Sequence, residues 1–279
     1  MKKILVPTDF SDAANAAAEF AIQLAKKAEA ELCFMHLEPT PVDWVALSKD
    51  QEKQYPETAH AIGRARGALN EWVNQATTQG VKADRSLVLS SERAAVFDEL
   101  EGHHYDFIVM GSHGKKGFKE RLMGSNALYI LRNAKVPVLV IKQPVSEPIT
   151  DLLFVSNFRE VSDAIFRNIS QLASVLDAHL HLLLIRTDYD FQDPDKDLKY
   201  LNEVKIFDEE GIAYTRHTVE APSVEEGLAE FLAEQPIGMI AIGTHGRSEL
   251  RQLFVPSIAE RIVQRSKVPV LSMRLGLLV

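Results

Sequence analysis

Residues 111–142 read GSHGKKGFKERLMGSNALYILRNAKVPVLVIK, and residues 243–274 read GTHGRSELRQLFVPSIAERIVQRSKVPVLSMR. The two stretches align without a gap. They share both glycines of the opening G-x-x-G, the His between them, the Ser at 125 and 257, and the run Lys-Val-Pro-Val-Leu. Chance does not produce such a match, so the chain carries two copies of one unit.

Working outward, the lead-in repeats as well. Tyr105-Asp106-Phe107-Ile108-Val109-Met110 and Ile237-Gly238-Met239-Ile240-Ala241-Ile242 are both short apolar runs that end at the repeated glycine. Further upstream, Ile4-Leu5-Val6-Pro7-Thr8-Asp9-Phe10 corresponds to Leu152-Leu153-Phe154-Val155-Ser156-Asn157-Phe158. Between the copies, Gln143-Pro144-Val145-Ser146-Glu147-Pro148 has two prolines and no periodicity, which marks a linker. The expected domains are 1–143 and 149–279.

Within each copy, short β-type runs alternate with longer helical patterns. The strands expected in the first half are 3–8, 31–37, 84–89, 106–110 and 137–141; those in the second are 152–156, 179–186, 212–219, 238–242 and 269–273. Between them Ala13, Ala16, Ala17, Phe20 and Leu24 fall at helical spacing. Alternation of strand and helix implies parallel pairing, right-handed crossovers and an α/β fold with helices on both faces of an open sheet. Continuous apolar strands such as Phe107-Ile108-Val109-Met110 suit burial on both faces.

Composition narrows the function. With 279 residues, 46% apolar and 25% charged, the chain has the length and make-up of two mid-sized globular domains. No apolar run approaches the roughly 20 residues that span a bilayer, and no long apolar segment with a cleavage site opens the chain. A cytoplasmic protein without membrane contact is therefore expected. The single Cys33 lies in the apolar run Leu32-Cys33-Phe34-Met35 and reads as core. One cysteine excludes an internal disulfide, and no Cys/His cluster suggests zinc.

The net charge of -8 argues against nucleic acid as the main partner. The charge is uneven: residues 1–144 hold 18 Lys+Arg and 18 Asp+Glu, whereas 145–279 hold 13 and 21. An anionic ligand should prefer the first half.

In an open parallel sheet, ligands bind beyond the carboxyl ends of the strands, where the strand order reverses. The most unusual loops of this sequence fall there. After the fourth strand comes Gly111-Ser112-His113-Gly114, then nine residues, then Gly124-Ser125 opening a helix that runs to about Leu131. Glycines permit close approach of backbone to ligand, and a Ser hydroxyl with free N–H groups at a helix N-terminus binds phosphate. The intervening Lys115-Lys116-Gly117-Phe118-Lys119-Glu120-Arg121 is net positive by three, which suits a polyphosphate; the matching Arg247-Ser248-Glu249-Leu250-Arg251 is positive by one. The P-loop pattern G-x-x-x-x-G-K-[ST] is absent, because Val109 stands where its first glycine would be, and no G-x-G-x-x-G follows the first strand.

The pattern G-x-x-G-x9-G-[ST] after the fourth strand, together with a Val-Pro-x-Asp start, resembles the ATP-binding class of universal stress proteins, over essentially the whole chain as two copies. The resemblance implies two tandem doubly wound, open, parallel five-stranded sheets of order 3-2-1-4-5, a Rossmann-like fold of the adenine nucleotide alpha hydrolase kind. It also implies dimerisation through the last strand, and ATP, with or without Mg, between the first and fourth strands. Carried onto this sequence, Pro7, Thr8 and Asp9 would close the adenosine end, with the Asp9 carboxylate accepting from the nucleoside. Leu37 would pack on adenine. Gly111, Ser112, His113 and Gly114 would line ribose and phosphates, and Gly124, Ser125, Asn126 and Ala127 would present the helix N-terminus to the β- and γ-phosphates.

The second copy departs from this pattern. Asp9 becomes Asn157, Pro7 becomes Val155 and Gly124 becomes Pro256, while Gly243, His245, Gly246 and Ser257 remain. Proline removes a backbone N–H at the phosphate contact. One ATP per chain, in the first half, is the expectation, with the two halves packed as an intramolecular pseudo-dimer and whole chains able to form a homodimer.

Simpler roles compete with these. Asp9 can turn into the first helix alongside Ser11 as a cap. His113 and His245, flanked by glycines, read as hydrogen-bonding groups rather than general bases, and His103-His104 as solvated surface. Phe118 and Leu250 could pack against the partner domain. Trp44 and Tyr55 lie in 38–58, a stretch without a second-half counterpart of that length, read equally as a lid or an insertion. No nucleophile with an adjacent base is visible, so fast turnover is not expected. The leading reading is a nucleotide-dependent interaction module for stress response; the others are a weak ATPase or autophosphorylating protein, and a structural protein with a vestigial site.

Overall fold

Alternation along the inner strands divides their side chains between two apolar layers. Ile4 and Val6 join one and Leu5 the other; Phe107 and Val109 oppose Ile108 and Met110; Leu139 and Ile141 oppose Val138 and Val140. All eleven of these side chains are buried, as a sheet covered on both faces requires.

The structure is a computed structural model. It describes residues 1–90, 92, 95, 102–112, 124–158, 163–187, 201, 204, 211–245 and 258–275. In the first half the strands are β1 Lys3–Pro7, β2 Glu31–Glu38, β3 Ala83–Leu89, β4 Phe107–Gly111 and β5 Val138–Ile141; in the second, β6 Asp151–Val155, β7 His179–Arg186, β8 Tyr214–Glu220, β9 Met239–His245 and β10 Val270–Leu275. The first five are ordered β3-β2-β1-β4-β5, and the second five repeat that order as β8-β7-β6-β9-β10. All pairings within a half are parallel. Among the described residues the one antiparallel pairing joins β5 to β10, so these ten strands form a single sheet.

The helix Asp12–Ala28 illustrates how the layers are built. The Ser11 side chain caps its start by accepting from the Ala14 N–H, and Glu29 in the left-handed region (φ 52) closes its end by donating to the Ala25 carbonyl. Asp12 in the first turn and Lys26 and Lys27 in the last suit the helix dipole. Its buried face is largely alanine, at Ala13, Ala14, Ala16, Ala17, Ala18 and Ala21, which lets the helix axis approach the sheet closely. The helix Pro56–Thr78 covers the same layer, and its Trp72 stacks on Phe34 of β2 with ring centroids 5.9 Å apart.

The outer strands β3 and β8 are more polar. β8 reads Tyr-Thr-Arg-His-Thr-Val-Glu, a composition that discourages edge-to-edge association. In the 38–58 stretch, Trp44 is buried with Tyr55 edge-on to it, centroids 6.4 Å apart.

Candidate functional site

The reversal of strand order in the first half lies between β1 and β4: the chain proceeds from β1 outward to β2 and β3, and from β4 the other way to β5. The pairs Ile4↔Phe107 and Leu5↔Ile108 set the two strands level, so their carboxyl ends emerge side by side. One delivers Pro7, Thr8 and Asp9; the other delivers Gly111 and Ser112.

The turn after β1 is held at every step. The Thr8 N–H donates to the Met35 carbonyl at 2.8 Å, and the Thr8 hydroxyl accepts from the Phe10 N–H at 3.0 Å. The Asp9 carboxylate accepts from the Ser11 N–H at 3.1 Å, so the turning role open to Asp9 is one it fills. Phe10 is thereby held at φ 59, a left-handed conformation that costs a non-glycine residue about 1–2 kcal/mol. The second half repeats the device, with Phe158 at φ 58 and its N–H donating to the Ser156 hydroxyl at 3.1 Å.

His36 is the residue here that the sequence reading missed. Its Nδ1–H donates to the Thr8 carbonyl at 2.6 Å, and its Nε2 lies 3.3 Å from the Glu38 carboxylate. The Phe10 ring lies against it, centroids 4.6 Å apart. His36 is next to Leu37 in β2 but on the opposite face; Leu37 packs with Val88 in the other apolar layer. In the second half the strand registers place Leu184 at this position, so the lock on the turn belongs to the first half alone. A single His in an apolar strand carries no sequence signal for a contact 28 residues away.

On the β4 side, a Cβ built on Gly111 would lie 2.7 Å from backbone atoms of Ala13 and Ala14. The close approach that this glycine permits is to the chain's own first helix. Ser112 is buried; its N–H donates to the Ile141 carbonyl at 3.1 Å and its carbonyl accepts from the Gly124 N–H at 2.9 Å. That last bond joins the two ends of the G-x-x-G-x9-G motif. Gly124 is the N-cap of the helix Ser125–Asn133 and, as a glycine, has no side chain with which to cap its first N–H groups. Ser125 and Asn126 are exposed and Ala127 is half-buried at this end. His113 and Gly114, the basic loop Lys115 to Arg121, and Gly246, Pro256 and Ser257 of the second half lie outside the described residues.

A separate cleft of about 410 Å³ opens at the amino-terminal edge of β1, β2 and β3, lined by Lys3, Cys33, Lys82, Arg85 and Tyr105 among others. It is at the opposite end of the strands from Thr8 and Ser112. The matching place in the second half is filled by histidines. The His181 Nε2–H donates to Asp151 at 3.0 Å, and its Nδ1 lies 3.0 Å from His217 Nε2, which must then be the donor. His179 bonds Thr215, and Phe231 closes on the His217 ring at 4.9 Å. Among the described residues no group of three or more His, Cys, Asp or Glu is placed to hold a metal ion, and no helix is long and apolar enough to cross a membrane.

This arrangement has relatives. Over 98% of this chain and 98% of its own, a universal stress protein from Archaeoglobus fulgidus superposes with a TM-score of 0.77 at 22% sequence identity, a likeness of fold. In sequence, Universal stress protein MJ0531 of Methanocaldococcus jannaschii is 31% identical over 154 residues, 52% of this chain and 85% of that protein. Universal stress protein Slr1230 of Synechocystis sp. is 22% identical over 98% of this chain and all of its own length. Residues 1–142 and, separately, 151–274 match the Universal stress protein family, and the chain belongs to that family as a tandem of two such units.

Proposed function

We propose that the first half, 1–143, binds one adenine nucleotide, ATP with or without Mg, at the carboxyl ends of β1 and β4, and that occupancy of this site governs how the protein engages partners in a stress response in the cytoplasm. The observation that carries this reading is the 2.9 Å bond from Gly124 N–H to the Ser112 carbonyl. It draws the start of the helix Ser125–Asn133, whose N-cap side chain is no more than a hydrogen, up to the crevice where β1 and β4 part. A helix start in that position favours an anion.

In this reading Pro7, Thr8 and Asp9 hold the adenosine end, with His36 fixing the Thr8 turn, and Leu37 supplies the apolar contact to the base. Gly111, Ser112, His113 and Gly114 run along ribose and phosphates. Gly124, Ser125, Asn126 and Ala127 take the terminal phosphates, with Lys115, Lys116, Lys119 and Arg121 offsetting charge. The second half, 149–279, is degenerate, because Asn157 replaces the carboxylate and Pro256 lacks the N–H that Gly124 supplies. Its role is to pair with the first half as an intramolecular pseudo-dimer, a reading supported by the β5–β10 ladder. Turnover, if any, is slow hydrolysis.

Protein purified without added nucleotide and then denatured should release adenine nucleotide, and calorimetry should give one ATP site per chain. ATP should bind more tightly than AMP, by a margin that narrows with added salt. Two equivalent sites, or equal affinity for AMP and ATP, would overturn the reading.

A further inference from the structure

The ladder that joins the halves is symmetric in its backbone. β5 and β10 pair as Val138↔Ser272, Leu139↔Leu271 and Val140↔Val270. The repeat aligns Val138, Leu139 and Val140 with Val270, Leu271 and Ser272. Exchanging the halves therefore maps each pair onto the ladder itself, about an axis between Leu139 and Leu271. A first half meeting a second first half, or a second half meeting another second half, could build the same hydrogen bonds. Whatever selects one pairing over the others must lie in side chains.

Among the described residues, one ion pair between the halves breaks the symmetry. Arg132, in the last turn of the helix Ser125–Asn133, forks onto Glu260 of the helix Ile258–Arg265, with Nε to Oε1 at 2.9 Å and Nη2 to Oε2 at 2.7 Å. Glu260 is 2% exposed. The repeat aligns Arg132 with Gln264 and Glu260 with Leu128, so the reciprocal contact across the axis is between Gln264 and Leu128 and has no charge. Two first halves would set Arg132 against Leu128 twice over. Two second halves would set the buried Glu260 against Gln264 twice, with an amide where a guanidinium stood. Each buried Glu260 would lose its bidentate guanidinium, a contact that an amide cannot imitate. Lys142, which reaches the Gln264 and Ser266 carbonyls at the end of the facing helix at 2.6 and 3.0 Å, aligns with Arg274 and is matched in charge, so it strengthens pairing without choosing a partner.

We propose that the surface formed by β5 and the helix Ser125–Asn133 accepts the β10 and Ile258–Arg265 surface of the other half and rejects a second copy of itself, with Arg132 and Glu260 as the discriminating pair. The proposal rests on the pseudo-dimer reading and adds a partner rule to it. Only nine residues, 142–150, separate β5 from β6, so the favoured partner is supplied in cis at high effective concentration. A homodimer of whole chains would then have to use another surface.

The test uses the full chain with a protease site placed in 143–148. After cleavage the protein is unfolded in urea, refolded, and its pairs are weighed by native mass spectrometry. The expected result is heteropairs in large excess over either homopair. Leu128→Glu should raise the first-half homopair fraction at least tenfold, because it gives Arg132 a carboxylate partner across that axis. Arg132→Glu should deplete heteropairs, and adding Glu260→Arg should restore them, which separates loss of discrimination from loss of folding. A statistical mixture of the three pairs from the unaltered sequence, or no rise in homopairs with Leu128→Glu, would overturn the proposal while leaving the pseudo-dimer standing. Halves that separate completely would instead overturn the pseudo-dimer reading beneath it.

Discussion

The carbonyl carbon of Ala13 lies 2.7 Å from the point that a Cβ on Gly111 would occupy. Gly111 ends β4, and Ala13 is in the first turn of the helix that caps the β1 crevice, so the glycine sets how closely that helix meets the strand. Backbone cannot yield as a side chain does. Gly111→Ala should force the helix Asp12–Ala28 off β4 and cost about 1–3 kcal/mol, the range for overpacking a filled core. Thermal denaturation checks this, with Gly63→Ala or Gly67→Ala in the helix Pro56–Thr78 as controls. A Cβ at those two positions meets nothing within 4 Å, and a helical Ala gains up to about 1 kcal/mol over Gly. If Gly111→Ala matched its controls, the close contact would carry no weight.

Gly124→Pro copies Pro256 of the second half into the first. Gly124 has φ -60, a value that proline accepts, so the helix should form. The substitution deletes the N–H that reaches the Ser112 carbonyl at 2.9 Å, and that bond is what joins the two ends of the motif. The expected outcome is loss of ATP binding in calorimetry with a circular dichroism spectrum unchanged and a Tm lowered by only a few degrees. Retained affinity would mean that neither this N–H nor the closure of the loop matters to the ligand.

Most of the sheet was legible because strands buried on both faces leave continuous apolar runs, and each of the ten strands falls where a run was read. β9 shows the limit. It extends to His245, whereas the run stops at Ile242, because Gly243, Thr244 and His245 carry no apolar signal; pairing with Met273, Arg274 and Leu275 of β10 holds them extended. Side-chain partnerships between distant elements were not legible at all. His36 finds the carbonyl of Thr8, Arg132 finds Glu260 128 residues away, and His181 finds Asp151 and His217. Each depends on how strands and helices far apart in sequence are set against one another, which no local pattern encodes.

The bond from His36 Nδ1 to the Thr8 carbonyl, at 2.6 Å, fixes the turn that carries Asp9. His36→Ala removes one partly buried hydrogen bond and the ring that rests on Phe10. A hydrogen bond of this kind contributes about 1 kcal/mol, so ATP affinity should fall roughly fivefold if the turn must be pre-set for the nucleoside. The measurement is calorimetric titration beside a thermal melt. Unchanged affinity with a lowered Tm would assign His36 to stability alone.

His217 makes the stability of the second half depend on pH, and the sign follows from its surroundings. Burial, then the nearby His181 and His179, hold the His217 imidazole below its ordinary pKa. In the unfolded chain the same ring takes up a proton near pH 6.5. The unfolded state therefore binds more protons once the pH falls below about 6.5, and stability must decline there. Above that value His217 is neutral in both states and its contribution is flat. Asp151, held low chiefly by the hydrogen bond from His181, adds a loss of the same sign at more acid pH, below the ordinary carboxylate value. Tm should thus be level from pH 8 to 7 and fall between pH 6.5 and 5. His217→Gln keeps an N–H able to donate to His181 Nδ1 while removing the titration, so it should flatten the slope between pH 6.5 and 5 without abolishing the fall below pH 4. A variant with the same slope as the parent would show that the pH dependence arises elsewhere. A variant unstable at every pH would show that the ring packed on Phe231, rather than its proton, is what the second half requires.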